Sequence, residues 1–232
     1  MIENLPIIFV HGFGSGSYTW KPLLQRISIR SPIFVLDLPG GSISEQAEFL
    51  ETFRRRSGIQ RFRGVGHSMG ANVLGFYSLH HPHLECVVFE NPADDQAPFS
   101  LLNRMIGFPL IGELALKLLP FSVFKLYLSR NVFDSNCLTS EFWRDASQHF
   151  TQENGRILRT LRAKRLSIPW PEIKVPCTII YGESDEQITP EFLSSLKQIP
   201  HVSLYPIGNC KHVPHLEYPE RFVEILKTIY FL

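Results

Sequence analysis

The sequence has no surplus of either charge: 23 Lys and Arg face 22 Asp and Glu, a formal net charge of +1 at pH 7. That balance excludes the basic excess with which a general nucleic-acid binder neutralises phosphates. Cysteine is scarce. Cys86, Cys137, Cys177 and Cys210 stand far apart with no C-x-x-C pair, so no zinc site is spelled out, and a chain of this size needs no disulfide framework. Free thiols in a reducing compartment fit better. Long apolar runs are missing too. The most apolar stretch, Leu101 to Leu128, is broken by Arg104, Glu113, Lys117, Lys125, Pro109 and Pro120, which argues against a membrane span. Met1-Ile2-Glu3-Asn4 carries no basic region ahead of the short run Ile7 to Val10, so no secretory leader is expected and a soluble, cytoplasmic protein is. Repeats and low-complexity tracts are absent.

What is present is apolar: hydrophobic residues make up 44% of the chain against 19% charged, enough for a sizeable core. Short apolar runs alternate with helix-like segments, the pattern of a parallel sheet with crossover helices. Strands are expected at Ile7–Val10, Ile33–Leu36, Phe62–Val65, Cys86–Phe89, Cys177–Tyr181 and Val202–Tyr205. Helices are expected at Thr19–Ile27, Ser44–Ser57, Met69–His80, Glu191–Gln198 and Pro219–Tyr230. Ser42 with Glu45 fits a capping box, and Pro219 suits a first helical position. The alternation stops between residues 95 and 170, where Leu, Phe and helix formers replace β-type runs. The reading is therefore an α/β core of residues 1–94 and 171–232, with a mostly parallel sheet of about six strands and helices on both faces. Residues 95–170 form a helical insertion, expected to cap the core.

Gly66-His67-Ser68-Met69-Gly70 lies between a strand and a helix. A serine between two glycines at such a junction sits on a tight turn that exposes its hydroxyl and frees the next backbone N–H, that of Met69, to face an oxyanion. A serine hydroxyl is a poor nucleophile until a base takes its proton and a carboxylate orients that base. Asp185 follows the strand ending at Tyr181, and His212 follows the strand ending at Tyr205. Glu183, Glu186, Glu90, Asp94 and Asp95 are rival acids, and His215 is a rival base. His11-Gly12-Phe13-Gly14 follows the first strand, where the Phe13 N–H offers a second oxyanion donor. His11 and His67 read as loop-holding groups, and Asp37 as a tie for its own loop. His80, His81 and His83 sit at a helix end and read as no metal site; Arg54, Arg55 and Arg56 read as a solvated helix end.

These blocks resemble the α/β-hydrolases over nearly the whole chain: His11 to Gly14 with Trp20, Asp37-Leu38-Pro39-Gly40, the turn around Ser68, Tyr181 to Asp185, and His212 with Glu217, Pro219 and Phe222. The resemblance implies a hydrolase with the order Ser68, Asp185, His212 as catalytic triad, an oxyanion hole at Phe13 and Met69, and neither cofactor nor metal. It departs at Gly41-Ser42, where His-Gly is usual, and at Lys211, where Gly is usual. A serine carboxylesterase is expected, with thioesterase, lactonase or carbon–carbon bond hydrolase as alternatives on the same triad, and a ligand-binding receptor on this scaffold as a further one.

The insertion is expected to line the substrate pocket with Met105, Leu118, Phe121, Phe124, Leu128 and Trp143, alongside His215, and so to favour a hydrophobic acyl group. It is also basic, with ten Lys and Arg against six Asp and Glu between Asp95 and Trp170. A trimmed core with a basic cap is similar to the pimeloyl-acyl-carrier-protein methyl ester esterases of biotin synthesis. The expected partner is a small-molecule ester substrate; the similarity implies, as a further one, an acidic acyl carrier protein docking on Arg156, Arg159, Arg162, Lys164 and Arg165, with a solvated helix as the alternative reading of that segment.

Overall fold

Alternation of side chains along each strand decides the layering. In β1 (Ile7–Val10), Ile8 and Val10 point to one face of the sheet while Ile7 and Phe9 point to the other, and each pair is buried in its own apolar cluster. A strand buried on both faces belongs in the middle of a parallel sheet covered by helices on both sides. The computed structural model, which describes residues 4–95 and 101–230, has that architecture. Residues 96–100, inside the expected insertion, lie outside the described residues.

The sheet has six parallel strands in the order β2-β1-β3-β4-β5-β6. Besides β1 they are β2 (Ile33–Leu36), β3 (Phe62–His67), β4 (Leu84–Glu90), β5 (Cys177–Gly182) and β6 (Ser203–Ile207). β3, β4 and β5 run beyond the expected apolar runs, to His67, Glu90 and Gly182, because backbone pairing does not depend on side-chain polarity, and β6 is shifted toward its C-terminal end. The chain leaves β1 in one direction to form β2, then returns to add β3 to β6 on the other side. Right-handed crossovers therefore place α1 (Lys21–Leu24) on one face. The opposite face carries α2 (Ile43–Arg56), α3 (Met69–His80) and α8 (Pro190–Leu196). The last helix, α10 (Pro219–Tyr230), returns to cover the α1 face with Phe222, Val223, Ile225 and Leu226. The expected helix Thr19–Ile27 is instead a 3-10 turn, Ser17–Trp20, followed by the single turn of α1.

α2 starts on the expected capping box: the Ser42 side chain accepts from the Glu45 N–H, and the Glu45 carboxylate accepts from the Ser42 N–H. One expectation fails at its other end. Arg54 is buried rather than solvated, held by Glu51 and by the Ile59 carbonyl, and Glu51 also accepts from the Tyr77 hydroxyl.

Between β4 and β5 the chain forms α4 (Leu101–Gly107), α5 (Ile111–Leu118), α6 (Phe121–Arg130) and the long α7 (Ser140–Arg162). These helices own two small apolar clusters. Phe124, Val132, Leu138, Phe142 and Ala146 pack with Tyr18, Val213 and Leu216 of the core, while Ile106, Leu116 and Leu161 form a second cluster against which Phe13 of the core packs. No helix among the described residues is long and apolar enough to cross a membrane.

The β1–β3 switch point leaves no room for side chains at two glycines. A Cβ on Gly70 would sit 2.4 Å from the Val10 carbonyl oxygen, and one on Gly66 would sit 2.6 Å from the Gly70 carbonyl oxygen. These glycines let α3 start directly against β1. Gly155, exposed in the middle of α7, has nothing within 4 Å of such a Cβ. Gly70→Ala should therefore cost ~1–3 kcal/mol or more through forced backbone movement. Gly155→Ala should gain about 0.5–1 kcal/mol from helix propensity alone. Thermal melts of the two variants should move in opposite directions.

Candidate active site

The Ser68 backbone is in a conformation that side chains avoid, with φ 52° and ψ −119° at the junction of β3 and α3. Its N–H donates to the Glu90 carbonyl at the end of β4, 2.8 Å away, so the neighbouring strand holds the turn. The Ser68 hydroxyl lies 3.0 Å from Nε2 of His212, and His212 Nδ1 lies 2.7 Å from Oδ2 of Asp185. All three residues are less than a tenth exposed. A carboxylate facing Nδ1 keeps a proton there and leaves the Nε2 lone pair toward the hydroxyl. Such a line can take the hydroxyl proton as the oxygen attacks an electrophile, then hold the imidazolium that results.

Asp185 has an environment suited to a carboxylate. Burial pushes its carboxyl up, but hydrogen bonds from His212, the Gln187 N–H and the Asn91 amide outweigh it and hold the group below its usual range. Asn91 went unnoticed in the sequence. It is wholly buried just past β4 with φ 39°; its Nδ2 donates to Asp185 and, at 3.3 Å, to the Lys211 carbonyl, and its Oδ1 accepts from the Gly182 N–H. The only sequence signal for it was its place at the C-terminal end of a central strand, where parallel sheets build their sites.

The rival acid and base pair with each other. Glu90 and His215 are both fully buried, and the His215 ring and N–H each lie 2.8 Å from the Glu90 carboxyl. Burial drives Glu90 up and His215 down, which favours a proton on the carboxyl and a neutral ring. His215 also stacks on Trp20 with ring centroids 4.1 Å apart. His67 Nε2 donates to the His212 carbonyl, 2.8 Å away. His11 accepts from the Leu38 N–H at Nε2 and donates from Nδ1 to the Gly12 carbonyl. Both rings hold loops, and burial lowers their pKa values, to about 3 for His67 and about 4 for His11. Asp37 accepts from the Ser17 N–H and hydroxyl. His80 and His81 turn to separate partners, the Phe76 carbonyl and Glu48.

A cavity of about 540 Å³ opens beside Ser68 and His212. Phe13 and Met69 line it; Met69 is the first residue of α3, whose leading N–H groups have no intrahelical acceptor. Most of the apolar residues expected in its wall are elsewhere. Met105 and Leu118 are 52% and 68% exposed on the outer surface, and Phe121, Phe124 and Trp143 pack against one another and α7 without reaching the cavity. Leu128 and His215 line it as expected, and the rest of the apolar wall is built by Val132, Leu138, Phe142, Val213 and Leu216. Helical periodicity identified the apolar faces but not which face meets the core.

The basic cluster also divides. Arg162 grips both oxygens of Glu113, at 2.7 and 2.8 Å, and the Gly107 carbonyl. Arg159 donates to the Pro39 carbonyl, and Arg156 lies 3.7 Å from Asp37. These three fasten α7 to α5 and to the core loop. Lys164 and Arg165 line the cavity, and Arg165 also donates to the Asp95 carbonyl.

The chain belongs to the alpha/beta hydrolase family, whose model matches residues 7–225. It is 29% identical to the (lyso)-N-acylphosphatidylethanolamine lipase of Bos taurus over 47% of this chain and 32% of that protein. It is 22% identical to a 2-hydroxy-6-oxononadienedioate/2-hydroxy-6-oxononatrienedioate hydrolase of Paraburkholderia phymatum over 95% of this chain and 85% of that protein. The matched stretch spans only 23–32% of the length of several curated relatives. Among solved structures, a thermophilic esterase from Thermogutta terrifontis superposes with a TM-score of 0.75 at 18% identity, over 97% of this chain and 89% of that one. At that identity the likeness is one of fold.

The buried histidines make stability depend on pH. Unfolded, His11 and His67 take up protons near their ordinary value of 6.5; folded, they stay neutral down to about 4 and about 3. The Glu90–His215 pair holds one proton in either state near pH ~5 and drops out. As pH falls below ~6.5, the unfolded chain binds about two more protons than the folded one, and stability falls by up to ~2.7 kcal/mol per pH unit. Denaturant midpoints at neutral pH and at about pH 5.5 measure this loss, and His67→Gln, which keeps a donor for the His212 carbonyl, should roughly halve the slope.

Proposed function

We propose that this chain is a serine carboxylesterase that cleaves esters of a hydrophobic acyl group through an acyl-enzyme. The observation that supports this most is the hydrogen-bonded line from Ser68 through His212 to Asp185, opening on a cavity with an apolar wall. Ser68 Oγ attacks the ester carbonyl carbon while His212 Nε2 takes the hydroxyl proton and Asp185 holds Nδ1–H. The carbonyl oxygen becomes an oxyanion facing the N–H groups of Phe13 and Met69. Collapse breaks the bond to the alcohol, which leaves with the proton from His212. A water molecule then repeats the attack on the acyl-enzyme, giving the free acid and restoring Ser68. No cofactor enters the scheme.

The helical insertion serves as a cap in this reading, since Tyr127, Leu128, Phe142 and Thr160 share the cavity wall with Ser68. A curated relative named as a lipase supports ester chemistry. Within it, a carrier-borne pimeloyl methyl ester is the narrowest substrate that the basic segment supports. Lys164 and Arg165 at the cavity are the residues for an acidic carrier or its phosphate-bearing arm, because Arg156, Arg159 and Arg162 are taken up within the fold. Carrier-linked esters should then react faster than free ones, with an advantage that salt removes.

Ser68→Ala should abolish hydrolysis of p-nitrophenyl esters and labelling by a fluorophosphonate; turnover undiminished in that variant would defeat the assignment. Asn91→Ala should lower kcat on the order of 100-fold with little change in KM, because it releases Asp185 rather than the substrate. Steady-state kinetics on a short-chain ester separate the two effects.

A further inference from the structure

The helices between β4 and β5 are apolar on two sides. In α5, Gly112 and Leu116 turn inward, Leu116 packing with Ile106 and Leu161. The opposite stripe, Ile111, Leu114 and Leu118, follows the three-and-four spacing of one helical face and is 55%, 59% and 68% exposed. Leu110, just ahead of the helix, is 83% exposed, and Phe108 and Met105 on the adjoining turn and α4 are 60% and 52% exposed. Isolated exposed leucines are ordinary, but a contiguous apolar face marks an interaction site.

Charge selects the partner. Between Leu101 and Arg130 the sequence has four basic residues and one acid, Glu113, and Glu113 is already engaged by Arg162. Arg104 and Lys117 are exposed beside the apolar residues and have no acidic partner among the described residues. A second copy of the chain would bring the same cations against each other, with no acid to receive them. Protein interfaces concentrate their energy in aromatic and Arg anchors that enter pockets. This face offers mainly aliphatic side chains standing well out of the surface, which suits acyl chains that require only apolar area.

We propose that the α4–α5 face docks onto an anionic lipid surface, with Ile111, Leu114 and Leu118 entering the acyl boundary and Arg104 and Lys117 meeting the headgroups. Leu110 and Phe108 deepen the apolar contact, and the protein lies on the bilayer without crossing it. α4 also contributes Asn103 to the cavity wall, so docking sets one wall of that cavity near the lipid. The docking itself is independent of the esterase reading and would stand if that reading failed.

Flotation of the full chain with vesicles tests it, using phosphatidylcholine alone and an equal mixture with phosphatidylglycerol. The chain should float with the anionic vesicles and less with the neutral ones. Leu114→Ser/Leu118→Ser should lower partitioning onto both by at least ~100-fold, because two buried leucines are removed. Arg104→Glu/Lys117→Glu should lower it on anionic vesicles by on the order of ten-fold or more and leave neutral vesicles unchanged. All four positions are exposed, so melting temperatures should match the wild type and exclude misfolding as the cause. Failure of the wild type to bind either vesicle overturns the proposal. So does binding that Leu114→Ser/Leu118→Ser leaves intact, or a dimer in sedimentation that those substitutions dissociate.

Discussion

The fixed point of this structure is a turn that the chain would not adopt alone. Ser68 is held in a backbone conformation normally left to glycine, at a cost on the order of 1–3 kcal/mol. It persists because everything around it is determined by other contacts. β3 on one side is anchored in both apolar layers of the core and α3 on the other in one of them, and the Glu90 carbonyl receives the Ser68 N–H. With Gly66 and Gly70 giving room for the close approach, the sheet fixes the direction of the hydroxyl before any partner arrives.

The partners are assembled from the end of β4. Glu90 and Asn91 are consecutive buried residues that between them reach the Ser68 amide, the Asp185 carboxylate, the Lys211 carbonyl and His215. One strand end thus sets the spacing of a serine, an acid and a histidine that lie far apart in sequence. The second buried pair, Glu90 with His215, locks the loop just beyond His212, and His67 locks the His212 carbonyl. Burial of His67 and of His11 makes the assembly vulnerable to acid, whereas the Glu90–His215 pair carries one proton folded or unfolded and adds nothing to that loss.

The helices between β4 and β5 contrast with this. They share one small apolar cluster with the core and build another against which Phe13 packs, and Arg159, Arg156 and Arg162 tie α7 to Pro39, Asp37 and Glu113. They wall the cavity with α6 and α7 while turning aliphatic side chains outward from α4 and α5. One insertion therefore has an inner face that concerns what enters the cavity and an outer face that concerns what the protein meets.

The sequence alone determined the sheet, its covering helices and the order of the chemical groups. Strand alternation at Ile7 to Val10, the capping box at Ser42 and the glycine-flanked Ser68 are local signals that no tertiary contact has to supply. Motif spacing favoured His212 over His215 and Asp185 over Glu90, and in three dimensions His212 and Asp185 form a line to Ser68 while Glu90 and His215 lie against each other. Each rival is a buried group whose partner is the other rival. Asn91 was invisible because an asparagine after a strand has no local signature. Most of the expected pocket residues failed for a related reason: Met105, Leu118 and Phe124 are as apolar as Val132 and Phe142, and only packing of the insertion on the core decides which apolar face turns inward. Local patterning specifies what an element is, whereas the non-local fit between elements specifies what each side chain meets.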